Sequence, residues 1–258
     1  MVQCPSESAP LRRNGFTFKQ FFVAHDRCEM KVGTDSILLG AWADVSDITG
    51  KILDIGSGSG LLALMLAQRT THSVQIDAVE LDDNAALQAT ENFALSPWAG
   101  RVALHHCALQ SFAAQTSSRY DLIITNPPYY QPGVECRNPS RGTARYTSEL
   151  SHQTLLKHAR ALASDNGKMA VVLPCDISTD FMQLAAGEGW FLLRHTEVAE
   201  FANRAPHRAL MLFGVEPASL QSDRLVIRDE SNAYSDDFRE LTNAFYLFSE
   251  CDDMKKAQ

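Results

Sequence analysis

A glycine-rich loop between a short apolar strand and an apolar helix constrains this chain more than any other feature. Residues 51–55 have the pattern of a buried strand, the loop reads DIGSGSG from Asp54 to Gly60, and residues 61–68 have the pattern of a helix. Glycines allow a positive φ and let a ligand approach the backbone, and the helix beyond them offers unpaired N–H groups. The loop therefore predicts a strand–turn–helix unit that can hold a small ligand.

Strand and helix patterns alternate along most of the chain. Strands are predicted at 51–55, 74–81, 102–106, 120–125, 168–173, 191–198 and 209–215, with no convincing helix between the last two. Alternation of this kind favours a mostly parallel sheet with helices on both faces. We therefore expect an α/β fold with a mostly parallel, seven-stranded sheet and an antiparallel hairpin at one edge.

The domain organisation is predicted from the composition and from the breaks between predicted strands and helices. The chain has 258 residues, of which 45% are hydrophobic and 21% charged, so global disorder is excluded. We expect a single domain over 1–248, made of an N-terminal segment (1–45), a core (46–216) and a C-terminal strand and helix (217–248). Residues 249–258 are expected to be a disordered tail.

Several classes of protein are disfavoured by the sequence. The longest apolar run, residues 61–67, is far shorter than the ~20 residues of a membrane span, and the N-terminus has no apolar signal core. The six cysteines form no CxxC pair and no zinc-ligand spacing. We expect a cytoplasmic protein with free thiols, no metal and no membrane contact.

The glycine loop is compatible with two classes of cofactor. Glu80 ends the second predicted strand, where an acid can accept hydrogen bonds from both ribose hydroxyls. A dinucleotide fingerprint is GxGxxG, but here the third glycine comes one position early and Leu61 stands where a small residue is needed. Asp54, before the first glycine, suits a cationic amino-acid group better than a pyrophosphate. The spacing therefore favours S-adenosylmethionine.

The tetrapeptide Asn126-Pro127-Pro128-Tyr129 follows the fourth predicted strand directly. The carboxyl ends of parallel strands meet at one edge, so this motif should lie beside the glycine loop. The Asn126 side-chain oxygen and the Pro127 carbonyl can accept both N–H bonds of an amino group conjugated to a ring, and Tyr129 can stack on that ring. The motif predicts methyl transfer to such an amino group by alignment and electrostatics, without a strong general base.

DIGSGSG, Glu80 and NPPY together resemble the class I methyltransferases that act on amino groups conjugated to a π-system. The segments FTFKQFFVAHDRC, KVGTDSILLGAWA, NPPYYQPGVEC and AFYLF resemble a bacterial family that methylates N(6) of adenine 37 in valine tRNA. This resemblance covers about residues 11–248. It implies a Rossmann-like methyltransferase fold, S-adenosylmethionine as the cofactor and tRNA(Val) as the partner.

The resemblance also implies roles for individual residues. Those matching the cofactor site are Asp54, Gly56, Gly58, Gly60, Glu80 and Asn126, with Asn126, Pro127, Pro128 and Tyr129 as the catalytic motif. Those matching a segment that covers the methionine end of the cofactor are Lys31, Gly33, Thr34 and Asp35. The chain departs from the family pattern at Ala108, where related enzymes usually carry an Asp that binds the cofactor adenine.

The distribution of charge gives candidates for RNA contact. The formal net charge is -8, which excludes a wholly basic nucleic-acid coat but not a local basic patch. The candidate RNA-binding residues lie in two basic segments and are Arg12, Arg13, Arg137, Arg141 and Arg145. Solvated arginines without a ligand would give the same pattern.

Alternative functions remain open from the residues alone. The same chemistry could act on glutamine in a release factor, guanine in rRNA or adenine in DNA, although a glutamine acceptor usually comes with a larger N-terminal helical domain. A non-catalytic RNA-binding module could also keep this fold, but the intact Asp54, glycines, Glu80 and Asn126 argue against it. We expect a monomer.

Overall fold

The computed structural model describes residues 14–128 and 150–248. The strands in these ranges are β1 (Gly15–Thr17), β2 (Phe22–Ala24), β3 (Lys51–Ile55), β4 (Gln75–Glu80), β5 (Val102–His106), β6 (Tyr120–Thr125), β7 (Ala163–Pro174), β8 (Phe191–Phe201), β9 (Arg208–Gly214) and β10 (Gln221–Arg228). The helices are α1 (Thr34–Trp42), α2 (Leu61–Arg69), α3 (Asp83–Ala94), α4 (Leu109–Gln115), α5 (His152–Leu162), α6 (Cys175–Gly187) and α7 (Asp236–Thr242).

Eight of these strands form one sheet, in the order β10-β8-β9-β7-β6-β3-β4-β5. The five strands from β7 to β5 in this order are parallel, so β3, β4 and β6 all end at the same edge. Strand β9 runs antiparallel to both β7 and β8. The α/β fold class with a mostly parallel sheet is therefore confirmed.

The sheet is one strand wider than the predicted seven, and the antiparallel hairpin is not at its edge. Strand β10 pairs in parallel with β8, with Leu225 opposite Val198. Leu225 and Ile227 are buried in the core, so this segment gains apolar burial as well as backbone hydrogen bonds when it joins the sheet. The hairpin of β8 and β9 consequently lies between β10 and β7.

Helices cover both faces of the sheet, as the alternating pattern predicts. Residues of α1, α2, α3 and α7 pack in one apolar core, and residues of α4, α5 and α6 pack in the other. Successive side chains of a strand point to opposite faces, and accordingly Ile52 and Leu53 of β3 belong to different cores. In the described part of the chain, no helix is long and apolar enough to cross a membrane.

The hairpin of β1 and β2 lies against α3 and directs the N-terminal segment across the carboxyl edge of the sheet. The Asn92 side chain exchanges two hydrogen bonds with the backbone of Ala24, at 2.8 and 3.0 Å, and also donates to the carbonyl of Ser59 in the glycine loop at 2.8 Å. Asn92 is only 2% exposed. This one side chain therefore fixes the N-terminal segment relative to the loop.

Candidate active site

The glycine loop leaves the carboxyl end of β3 with three residues in the left-handed region. Gly56, Gly58 and Gly60 have φ values of 69°, 55° and 80°. A Cβ atom added to Gly60 would lie 2.3 Å from Cε1 of Phe93, whereas one added to Gly58 would meet no atom within 4 Å. Gly60 is thus required by packing between α2 and α3. Gly58 leaves open space beside the loop.

Glu80 joins the end of β4 to this loop. Its Oε2 accepts a hydrogen bond from the Gly58 N–H at 2.8 Å, and its Oε1 accepts from the N–H groups of Leu81 and Asp82 at 2.7 and 2.8 Å. Burial raises the pKa of the Glu80 carboxyl, and the three N–H donors oppose that rise. The side chain is an acceptor whose position is fixed by backbone donors.

Asp54 lies beneath the loop and is fully buried. Its Oδ2 accepts a hydrogen bond from Ala63 N–H in the first turn of α2 at 3.1 Å, while Oδ1 has no partner among the described residues. Burial and the nearby negative charge of Glu80 together raise the pKa of Asp54 to about 7, against the opposing effect of the hydrogen bond from Ala63. The carboxyl stabilises the start of α2 and keeps one unpaired oxygen.

Asn126 follows β6 and presents a free acceptor. Its Nδ2 donates a hydrogen bond to Ser36 Oγ on α1 at 2.9 Å. Its Oδ1 is buried and has no hydrogen-bond partner among the described residues. An unpaired buried acceptor costs free energy, so such atoms often mark sites that a ligand completes. Pro127 is buried behind it and restricts the Asn126 backbone.

Two cavities meet at Met30 and Asn126. The smaller, of about 110 Å³, is lined by Gly56, Gly58 and Glu80 together with Cys28, Asp82 and Pro128. The larger, of about 300 Å³, is lined by Lys31, Thr34 and Ser36 from the N-terminal segment and by Glu200, Arg228 and Tyr234 from the far side. Asn126 therefore lies between the glycine loop and the start of α1 and borders the cavity beside each.

Most of the predicted site residues that the structure describes line these cavities. Gly56, Gly58, Glu80 and Pro128 line the smaller cavity, Lys31, Gly33, Thr34 and Asp35 line the larger, and Asn126 lines both. Asp54, Gly60 and Pro127 line neither. Tyr129, Arg12, Arg13, Arg137, Arg141 and Arg145 lie outside the described residues.

Ala108 is the residue at which the sequence resemblance led us to expect an acid. It precedes α4 and borders a recess of about 10 Å³ with Gly56 and Leu81, next to the smaller cavity. An alanine side chain offers no hydrogen bond to an adenine ring placed there. Any polar contact at this position must come from the backbone or from a neighbouring side chain.

The start of α1 is an N-terminus without a side-chain cap. Its N-cap is Gly33, and among the described residues no side-chain capping hydrogen bond is present. Asp35, in the first turn, pairs with Arg208 Nε of β9 at 2.8 Å, which anchors the helix to the sheet. Uncapped N–H groups and the helix dipole together attract an anionic group such as a carboxylate.

The far wall of the larger cavity is charged and aromatic. Arg228 Nε pairs with Glu200 at 2.8 Å, and its guanidinium lies 4.8 Å from the ring centroid of Tyr234. These residues come from β8, β10 and the segment before α7. Strand β10, which widens the sheet to eight strands, therefore also supplies part of the wall of the larger cavity.

Ser36, Cys28 and this far wall are parts of the site that the sequence did not predict. Ser36 contacts Asn126 from 90 residues away, and no spacing in the sequence indicates that contact. Burial raises the pKa of Cys28 to about 12, so the thiol is neutral and serves as an apolar part of the wall. In the described part of the chain, no group of three or more His, Cys, Asp or Glu side chains could hold a metal ion.

Comparisons with known proteins agree with this geometry. The family model described as the methyltransferase small domain matches residues 28–185. The tRNA1(Val) (adenine(37)-N6)-methyltransferase of Salmonella arizonae is 58% identical over 238 residues, covering 92% of this chain and 97% of the relative. The protein of the same name from Salmonella enteritidis is 59% identical over the same shares.

A solved structure from Agrobacterium tumefaciens, described as a predicted O-methyltransferase, shares the fold. Its TM-score is 0.65 at 18% sequence identity, and the match covers 82% of this chain and 96% of that one. The fold, the family model and the high identity over nearly the whole chain agree. This chain therefore belongs to the methyltransferase small domain family and, within it, to the tRNA1(Val) (adenine(37)-N6)-methyltransferases.

Proposed function

We propose that the protein transfers a methyl group from S-adenosylmethionine to the N(6) amino group of adenine 37 in tRNA1(Val). The observation that carries this proposal is Asn126, which lines both cavities and whose buried Oδ1 has no hydrogen-bond partner among the described residues. One cavity borders the glycine loop and the other opens beside it, so a methyl donor and an amino group can meet at this oxygen. The names of the 58–59% identical relatives supply the nucleotide and the tRNA.

The residues present fit S-adenosylmethionine. Glu80 is placed to accept hydrogen bonds from ribose hydroxyls, and the absence of a side chain on Gly58 leaves room for the ligand beside the loop. Lys31, Thr34 and the uncapped start of α1 suit the carboxylate of the methionine end. When bound, the cofactor supplies a methyl group on a sulfonium, which is electrophilic and needs no further activation.

Asn126 acts on the amino group of the adenine. Its Oδ1 and the Pro127 carbonyl accept the two N–H bonds, which turns the nitrogen lone pair out of conjugation with the ring. Tyr129 stacks on the flipped base. No strong base is required, because the amino proton becomes acidic once the nitrogen is alkylated. The chain therefore contributes mainly alignment and electrostatics.

We propose that the nucleotide enters the site through the larger cavity. Its far wall offers the guanidinium of Arg228 and the ring of Tyr234, which are suited to a phosphate and to a base or ribose respectively. The five predicted arginines, Arg12, Arg13, Arg137, Arg141 and Arg145, remain the proposed contacts to the rest of the tRNA.

We also propose that residues 1–248 act as one domain, as a monomer without a metal, in the cytoplasm where tRNA is modified. Hydrogen bonds support the inclusion of the N-terminal and C-terminal segments in this domain. Lys19 Nζ donates to the Asn243 carbonyl at 2.6 Å, and Gln68 Nε2 of α2 donates to the Ala244 carbonyl at 2.8 Å. The N-terminal hairpin, the core and the C-terminal segment are thereby joined.

The test is methyl transfer from labelled S-adenosylmethionine to total RNA from a strain that lacks this activity. Nucleoside mass spectrometry should show N(6)-methyladenosine, and fragment mapping should place it at position 37 of tRNA1(Val). A tRNA1(Val) transcript with guanosine at position 37 is the matched control and should accept no methyl group. Transfer to DNA, to rRNA or to a release factor instead would refute the proposed substrate.

A further inference from the structure

One hydrogen bond joins the NPPY motif to helix α1. Asn126 Nδ2 donates to Ser36 Oγ at 2.9 Å, although the two residues are 90 positions apart. Both side chains are half-buried and both line the larger cavity. The other end of the amide, Oδ1, is buried and has no partner in the described ranges. The bond therefore holds one end of the Asn126 amide and leaves the acceptor end available.

The helix itself does not depend on this hydroxyl. The N-cap of α1 is Gly33, and Ser36 is already the third residue of the helix. The ion pair of Asp35 with Arg208 anchors the first turn, and the apolar residues that follow Ser36 are fully buried. A hydroxyl that the helix does not need, bonded to the central side chain of the site, points to a role in the site.

We propose that Ser36 is a positioning residue that fixes the plane of the Asn126 amide for methyl transfer, an inference that rests on the proposed function. The last side-chain torsion of an asparagine is broad unless a partner holds it. Because a hydroxyl both donates and accepts, Ser36 fixes the plane of the amide. When the amino group enters, its N–H donors favour the orientation of the Asn126 amide in which Oδ1 faces the amino group.

The expected fall in kcat follows from the loss of a single neutral hydrogen bond. In Ser36→Ala, kcat should fall about 3- to 10-fold, which is the factor that such a bond contributes, and should stay well above the rate of Asn126→Ala. The KM for tRNA and the Kd for S-adenosylmethionine should stay within about twofold, because Ser36 acts through Asn126 and not on either ligand. Ser36→Thr keeps the hydroxyl and should restore most of the rate.

Two comparisons separate positioning from packing. Ser73→Ala removes a serine hydroxyl that bonds to nearby Thr71 on the surface, and should leave kcat unchanged. The double variant Ser36→Ala/Asn126→Ala should be as slow as Asn126→Ala alone, because no amide remains to be held. The proposal would be overturned if the fold-losses in kcat of the two single variants multiply in the double variant. It would also be overturned if kcat for Ser36→Ala stays within about twofold of wild type.

A second readout does not depend on activity. The side-chain NH₂ signals of Asn126, identified by their loss in Asn126→Ala, can be followed by NMR in the wild-type protein without substrate. Ser36→Ala should move these signals and speed their exchange with water, whereas unchanged signals would overturn the proposal. If the wild-type protein methylates no RNA, the proposed function fails, and the amide signals still decide the role of Ser36.

Discussion

Alanine substitution at two glycines of the same loop should separate ligand binding from packing. Gly58 and Gly60 both have positive φ, so an alanine at either position costs about 1–2 kcal/mol in backbone strain. A Cβ atom at Gly60 also lies 2.3 Å from the Phe93 ring, and overpacking of this kind adds about 1–3 kcal/mol. At Gly58 the added atom meets nothing within 4 Å, so strain is the whole cost to the fold.

These costs translate into different losses of thermal stability. At about 2–4 °C per kcal/mol for a chain of this size, Gly58→Ala should lower Tm by about 2–8 °C and Gly60→Ala by about 4–20 °C. Gly100, which also has open space but no positive φ, is the matched control. Gly100→Ala should leave Tm unchanged or raise it slightly, because alanine reduces the entropy of the unfolded chain.

Calorimetry with S-adenosylmethionine completes the test. Gly58→Ala should weaken binding at least about tenfold, because the new methyl group occupies space beside the loop that the ligand needs, and Gly58→Val should abolish it. Gly100→Ala should bind as wild type. A Gly58→Ala protein with wild-type affinity would refute the assignment of this loop, and binding of NAD instead would support the dinucleotide interpretation. A Gly60→Ala protein no less stable than Gly58→Ala would refute the packing argument.

Three further predictions concern the catalytic group, a buried acid and the RNA. Asn126→Ala should lower the methylation rate at least about 100-fold while Tm and cofactor affinity stay near wild type; a loss of only a few-fold would remove Asn126 from its proposed role. Between pH 4 and pH 7 the folded state keeps a proton on Asp54 that the unfolded state has lost, so the free energy of unfolding should fall as pH rises. In urea titrations, Asp54→Asn should make the free energy of unfolding depend less on pH. The same pH dependence in the variant and the wild type would contradict this prediction. Replacing the three arginines after NPPY with Ala should reduce the log–log salt slope of tRNA binding by up to about 3, without changing cofactor affinity; an unchanged slope would show that these side chains, Arg137, Arg141 and Arg145, are only solvated.

The elements that carry the chemistry could be predicted because their signals are local. The glycine loop and the NPPY motif each follow an apolar strand, Glu80 ends another, and parallel strands end at the same edge of a sheet. Their approach in space therefore follows from the order of strands and helices along the chain. The fold class was predictable for the same reason, since alternating strands and helices allow few other arrangements.

Pairing at the sheet edge was not predictable from local pattern. Residues 224–228 have a strand-like pattern, but the pattern does not say which edge is free to receive them. Without β10 the sheet has two free edges, β8 and β5, and only the tertiary structure shows that β10 joins β8. The charged far wall of the larger cavity depends on the same pairing, because Glu200 comes from β8 and Arg228 from β10.

By itself, the sequence determined that this protein has a strand–glycine loop–helix unit and an Asn-Pro-Pro motif at one edge of a mostly parallel sheet. Only the tertiary structure decided that Asp54 is enclosed beneath the loop, that the two cavities meet at Asn126, and that Ser36 holds its amide. Backbone conformation and apolar periodicity are properties of neighbouring residues and can be read along the chain. A hydrogen bond between side chains 90 residues apart, or the burial of a carboxyl, depends on the packing of separate elements, which the local sequence does not encode.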